Sequence, residues 1–322
     1  MGVLQASSGL YTQLEISDNF KAGGAVVAFQ DQLLQYVVTG LTTGAIYALL
    51  GVGFVAIYNV TGIINFAQGE TAMLGALLMV SLNGHMGLPL ALAFALTVVI
   101  VAAIGATLHR LAIRPARNAS TVALIIITIG ASIAIRGIAL VAWGTNSYSL
   151  PAFTGGRPLH LWTAVVLPQS LWVLGTAFVS VTGLYLFFRH TMLGKAVRAC
   201  AVNRLAARLM GVDHDQMGTL SFALGAAMGA VAGAVIAPLT YATYDMGAML
   251  GLKGFVAAIL GGLASAPGAV AGGLLLGVLE ATGAGLISSG AKNAIAFAIL
   301  LIILFFRPGG LFATRRDASG GL

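Results

Sequence analysis

Apolar runs of about 20 residues divided by brief polar pauses point to an all-α, polytopic membrane protein of about eight to ten transmembrane or broken helices. Composition agrees. Of 322 residues, 59% are hydrophobic and only 8% are charged, and the mean hydropathy is +0.98, so a soluble surface could not be covered. The 43 glycines suit helices packed in lipid, where small residues let backbones approach.

Residues 1–30 are weakly amphipathic, with Glu15, Asp18 and Lys21, and lack the basic start and cleavage site of a secretory leader. They are expected to form a periplasmic or interfacial extension before a transmembrane domain over 31–312 and a short tail at 313–322. The first span runs from about Leu33 to Tyr58. The polar stretch NVTGIINFAQGE, residues 59–70, follows, and apolar sequence from Thr71 to Leu82 is short for a full crossing. That shortness predicts a broken helix with Asn65, Gln68 and Glu70 at depth, tolerated only against protein or a wet cavity.

A third span covers Leu88–Leu108, and a fourth covers Thr121–Trp143 with Arg136 inside it. At 1.5 Å per residue Arg136 lies roughly 22 Å along its helix, toward the outer leaflet, whereas Glu70 is expected nearer the inner surface. The fifth span is Ser170–Phe188. Residues 192–217 are polar and basic enough to be a structure of their own. Within them Lys195, Arg198, Arg204 and Arg208 recur at helical spacing, as do Val202, Leu205, Ala206 and Leu209, which predicts one short surface helix from Gly194 to Gly211. Gly211 stops it by taking the left-handed conformation without a Cβ penalty.

The sixth span, Gly218–Leu239, carries Gly225, Gly229 and Gly233 at four-residue spacing, a helix-contact signal. Gly251–Leu286 is interrupted by ASAPGAVAGG, which predicts two shorter helices, and Ile295–Phe306 closes the set. Alternating the spans puts three, five and three of the 16 Lys and Arg on one side, at 110–117, 189–208 and the tail from Arg307. By the positive-inside rule that side is the cytoplasm, with an outer N-terminus and an inner C-terminus. The basic balance is therefore topology and not nucleic-acid binding.

The sequence contains no GxxxxGK[ST] and no HExxH, and its five histidines lack metal-ligand spacing. Neither a nucleotide site of its own nor a metal or other cofactor is expected. An ion-coupled carrier needs intramembrane carboxylates, and Glu70, Glu280 and Arg136 are few for that role. A separate motor subunit fits better.

The strings GLTTGAIYALLGVGFVAIYNVTGIINFAQGETAMLGA (40–76), LGKAVRACAVNRLAARLMGV (193–212) and GGLASAPGAVAGGLLLGVLE (261–280) resemble, in order, three blocks of LivH-type branched-chain amino acid ABC transporter permeases. The resemblance implies a permease subunit of a bacterial inner-membrane importer that has no enzyme activity of its own. Its implied partners are a LivM-type second permease, two cytoplasmic ATP-binding subunits, a periplasmic substrate-binding protein and membrane lipid. It also implies that the block at 194–211 is the coupling helix, with Gly194, Arg198, Ala199, Asn203, Arg204, Ala206, Ala207, Arg208 and Gly211 as its candidate residues. Small side chains at Ala199, Ala206 and Ala207 would admit a partner while the arginines find carboxylates.

Asn65, Gln68, Glu70 and Arg136 are the candidate substrate-pathway residues, with helix capping and structural ion pairing as their plainer roles. Glu280 reads as a satisfied structural carboxylate, and Lys292 and Asp245 as outer-loop charges, solvated by default and otherwise meeting the charged rim of a binding protein. Urea, short amides or small aromatic acids remain alternative substrates, and an ion-coupled secondary transporter is the alternative mechanism.

Overall fold

A computed structural model describes residues 4–311 except 156, 162–163, 287–289, 291 and 308, with side chains from residue 32 onward except at 160, 161 and 164. Eleven helices are described: α1 (Leu4–Thr61), α2 (Gln68–Met79), α3 (Leu90–Leu108), α4 (Thr121–Trp143), α5 (Pro168–His190), α6 (Met192–Val202), α7 (Arg204–Leu209), α8 (His214–Ile236), α9 (Met246–Gly261), α10 (Ala266–Leu286) and α11 (Lys292–Phe306). One short hairpin, β1 (Leu159–Leu161) with antiparallel β2 (Ala164–Val166), precedes α5.

Local chemistry sets these boundaries. The Ser120 hydroxyl accepts from the Ala123 N–H to open α4, and Pro168 occupies the first turn of α5, where no N–H is needed. The Asp213 carboxylate accepts from the N–H groups of Asp215 and Gln216 to open α8. α2 and α3 each run on into a π-helical turn, at Val80–His85 and His109–Ile113.

Among the described residues, six helices are long and apolar enough to cross a membrane: Gln32–Thr61, Leu90–Ile113, Thr121–Trp143, Pro168–His190, His214–Ile236 and Ala266–Leu286. α9 and α11 are shorter apolar helices, and α2 has 12 residues. The short second element and the two helices flanking a Pro/Gly break match the sequence expectation. The break itself is narrower than 264–273. Only 262–265 leave the helix, and Pro267 sits in the first turn of α10, which it tolerates.

The bundle is organised around α1 and α8, whose spans are 89% and 72% buried, against 17–22% for α3, α4 and α5. α1 packs on α10, α8, α9 and α5, and α8 also packs on α2 and α3. Glycine makes these approaches possible. A Cβ at Gly44 would sit 2.8 Å from the Gly273 carbonyl oxygen of α10, and one at Gly233 would overlap the Ala72 carbonyl of α2. The 225–229–233 ladder therefore faces α1 and α2, as its spacing predicts.

The outer faces of α3, α4, α5 and α11 expose Val99, Ile126, Val141, Phe178 and Phe305, at 62–88% of their surface, which only an apolar surrounding tolerates. α11 buries only Ala296 fully among its described residues. Its half-buried Phe297, Ile299, Leu300 and Ile303 pack against Val256 and Leu260 of α9 and Leu276 of α10, and it is also tethered at its two ends. The Lys292 ammonium lies 3.3 Å from Glu280 Oε1 in α10, and beyond α11 the Leu311 N–H donates to the Leu260 carbonyl at 2.8 Å.

Candidate functional site

Among the described residues, two fully buried carboxylates, Glu70 and Glu280, each gather a polar cluster inside the bundle. The first is at the start of α2. Thr61 ends α1, Gly62 takes a positive φ of 70°, and the Asn65 Oδ1 accepts from the Ala67 N–H at 3.1 Å, so the chain turns and re-enters helix at Gln68. Gln68 Nε2 donates to the Gly225 carbonyl of α8 at 2.7 Å, fixing the new helix against the old bundle. Asn65 and Gln68 are 2% and 0% exposed, so both of these amides serve the helix break.

Glu70, 1% exposed, stands in the first turn of α2, where the helix dipole favours an anion. Its Oε1 accepts from the Ser132 hydroxyl at 2.9 Å and from the Arg136 Nη2 at 2.5 Å, both on α4. Its Oε2 has no hydrogen-bond partner among the described residues and faces Gly247, in the first turn of α9. A Cβ at Gly69 would overlap the Gly247 carbonyl, so two short helices begin beside one carboxylate.

This corrects the expected separation of Glu70 and Arg136 into opposite leaflets. Counting α4 residues from their first membrane position ignored that α2 starts inside the bundle, beside the middle of α4. Arg136 keeps a third of its side chain exposed, so its charge is paired on one side and open on the other.

The second cluster surrounds Glu280 of α10, which is fully buried. Its Oε1 accepts from the Lys253 Nζ of α9 at 2.7 Å and from the Tyr47 hydroxyl of α1 at 3.1 Å, and pairs with Lys292 of α11. The Lys253 ammonium also lies 5.5 Å from the Tyr47 ring centroid. Four helices thus meet at one carboxylate. Lys292 is therefore half of an ion pair and not a free outer-loop charge. Lys253 is a residue that sequence reasoning missed; its signal was a lone lysine inside an apolar run, which at depth demands an anion.

The basic segment differs from its expected single helix. Asn203 leaves helical geometry at φ −153°, ψ 105°, and its side chain accepts from the Ala206 N–H, so it ends α6 and caps α7. Gly211 does take a positive φ, 82°, after α7. Two presumed contact residues point inward. Ala207 is 4% exposed and packs with Val60, Val197, Cys200 and Met217, and a Cβ at Gly194 would overlap the Phe187 carbonyl of α5. Arg198, Ala199, Asn203, Arg204, Ala206 and Arg208 are exposed.

So is an apolar set. Val202, Leu205, Leu209 and Met210 expose 70–87% of their surface. The helical period was legible, but not that the apolar stripe faces outward while alanine and glycine seat the segment. Burial pushes the Cys200 thiol up while Arg204 and Arg208 pull it down, so this buried thiol has little thiolate character.

Behind α7 lies a cavity of about 960 Å³ lined by Arg114, Arg117, Arg204, Arg208, His109 and Asp215, among others. Asp215 holds Arg114 and Arg117 at 3.3 and 3.2 Å, which ties the α3–α4 connection to the start of α8.

A model of the family described as the permease component of the branched-chain amino acid transport system matches residues 36–305. The BraD permease protein of high-affinity branched-chain amino acid transport in Pseudomonas aeruginosa is 36% identical over 292 residues, covering 86% of this chain and 95% of that protein. Its counterpart LivH of Escherichia coli is 35% identical over 295 residues, covering 86% and 94%. A ribose import permease protein, RbsC of Escherichia coli, is 26% identical over 157 residues, covering 45% and 48%. Glycine-packed membrane helices, a re-entered α2 and a match along nearly the whole bundle together make this chain a member of the branched-chain amino acid transport permease family.

Proposed function

We propose that this chain is the transmembrane permease subunit of an ABC importer that carries branched-chain, hydrophobic amino acids across the bacterial inner membrane. The observation that carries the reading is the α6–α7 segment: an exposed apolar and basic surface on an otherwise membrane-adapted protein, seated on the bundle by Gly194 and Ala207. An unpartnered surface of that kind calls for a protein partner, and its arginines suit an acidic one. The partner is one of two cytoplasmic ATP-binding subunits of the assembly, docked on α6–α7. The N-terminus is periplasmic and the C-terminus cytoplasmic, on the strength of the basic residues at 110–117 and 189–208. A LivM-type second permease and a periplasmic binding protein complete the assembly.

Glu70 and Arg136 form the polar step of the route, occluded on the Glu70 side and open at Arg136. Asn65 and Gln68 position them by holding the helix break. Support comes from a charged pair set inside the bundle at the meeting of two helix N-termini, where an ionisable group is costly without a role.

Reconstitution tests the reading. In liposomes the chain alone accumulates no leucine, whereas addition of the second permease, the ATP-binding subunits and the binding protein gives ATP-dependent uptake. Accumulation by the lone chain under an ion gradient overturns it.

A further inference from the structure

On the face that carries α6, an apolar groove of about 610 Å³ lies between α5 and α10 with α1 as its floor. Val52 and Val55 of α1, Val181 and Leu184 of α5, Val197 of α6 and Val270 of α10 line it. Arg189, at the end of α5, and Arg198 of α6 stand at its mouth, both exposed. Neither arginine is in an ion pair among the described residues. Arg189 donates to the Tyr185 hydroxyl at 2.8 Å, with its guanidinium carbon 5.9 Å from the centroid of that ring, which places the guanidinium at the rim with donors to spare.

The geometry points to a binding site for an anionic phospholipid, with one acyl chain in the groove and its phosphate between Arg189 and Arg198. Three features select that occupant. The eight helical rises from Val181 to Arg189 span about 12 Å, close to the roughly 15 Å hydrocarbon depth of one leaflet. The rim is cationic and bidentate, which suits a phosphate. No lining residue is acidic, so the ammonium of a zwitterionic amino acid would find no counter-charge; the Nδ2 of Asn59 is committed to the Ala264 carbonyl.

Because Val197, Arg198 and Ala201 of α6 close the inner end of the groove, a bound lipid bridges α5 to the proposed docking segment. The site rests on the proposed function only for the orientation that puts this face in the inner leaflet.

The test uses nanodiscs of phosphatidylcholine holding either the chain or the assembled importer. Each contains a trace of phosphatidylglycerol or phosphatidylcholine bearing the same photoreactive acyl chain, and labelled peptides are mapped by mass spectrometry. The phosphatidylglycerol probe is expected to label residues 181–189 and 52–59 roughly 30-fold more than the phosphatidylcholine probe. Arg189→Gln cuts that excess about fivefold, Arg189→Lys retains most of it, and soluble glycerol phosphate does not compete.

Equal labelling by the two probes, or labelling untouched by Arg189→Gln, overturns the site. So does labelling that vanishes in the assembled importer, which makes the groove a subunit interface, or that leucine displaces, which makes it the transport route. ATP-dependent uptake, read on the same preparations, reports the proposed function separately.

Discussion

Glu70 and Arg136 show what a single residue pair decides inside a membrane. The carboxylate is buried and the guanidinium is one-third exposed, so the two are not equivalent when either is removed. Arg136→Met leaves Glu70 charged with only the Ser132 hydroxyl, and breaking a buried pair in this way costs about 3–5 kcal/mol. Glu70→Gln leaves a neutral acceptor for Ser132 and an arginine able to reach the interface, so it costs less. Thermal unfolding in detergent is expected to rank Arg136→Met below Glu70→Gln, with the double variant recovering part of the loss. Equal destabilisation by the two single changes contradicts the pairing. Both residues were conspicuous in the sequence as charges within apolar runs. Their meeting was not, because it depends on where α2 re-enters the bundle, a matter of the 62–67 turn and the Gln68–Gly225 contact.

At the level of the helix, glycine spacing was the most legible signal. The ladder on α8 predicted a contact, and Gly233 meets the Ala72 carbonyl of α2 without room for a methyl group. Gly137 on α4 has nothing within 4 Å of the position a Cβ would take. Gly233→Ala is therefore expected to lose about 1–3 kcal/mol by overpacking, while Gly137→Ala gains roughly 0.5–1 kcal/mol from helix propensity. Fluorescence-detected size-exclusion after heating separates the two. The α6–α7 pair was less legible, because a helical period tells which residues share a face but not which face is seated. Leu205 and Leu209 are 70% and 80% exposed, so changing both to Glu is expected to leave membrane insertion and thermal stability within about 0.5 kcal/mol. The same change abolishes co-purification with the ATP-binding subunits and substrate-stimulated ATP hydrolysis. Retained stimulation argues that the surface docks nothing.

For the whole molecule, hydropathy sufficed for the class, the set of apolar helices and the broken second element. It did not show that α1 is the axis. Its apolar span is only slightly longer than those of α3–α5, but Gly40, Gly44, Gly51 and Gly53 let α10, α9 and α8 close on it from several sides. Nor could it show that Lys253, Lys292 and Tyr47 converge on Glu280, since that depends on how the successive helices α9, α10 and α11 fold back on one another and on Tyr47 of α1, 233 residues away. A pattern reports on one helix at a time, and this fold is decided between helices.

The two tethers of α11 carry one last consequence. One face of the helix lies against α9 and α10 through Phe297, Leu300 and Ile303, and in addition Lys292 moors its head to α10 and Leu311 moors the turn beyond its foot to α9. It must therefore ride with those two helices as one raft, and any rocking of α9 against α1 sweeps the whole of α11 through the surrounding lipid.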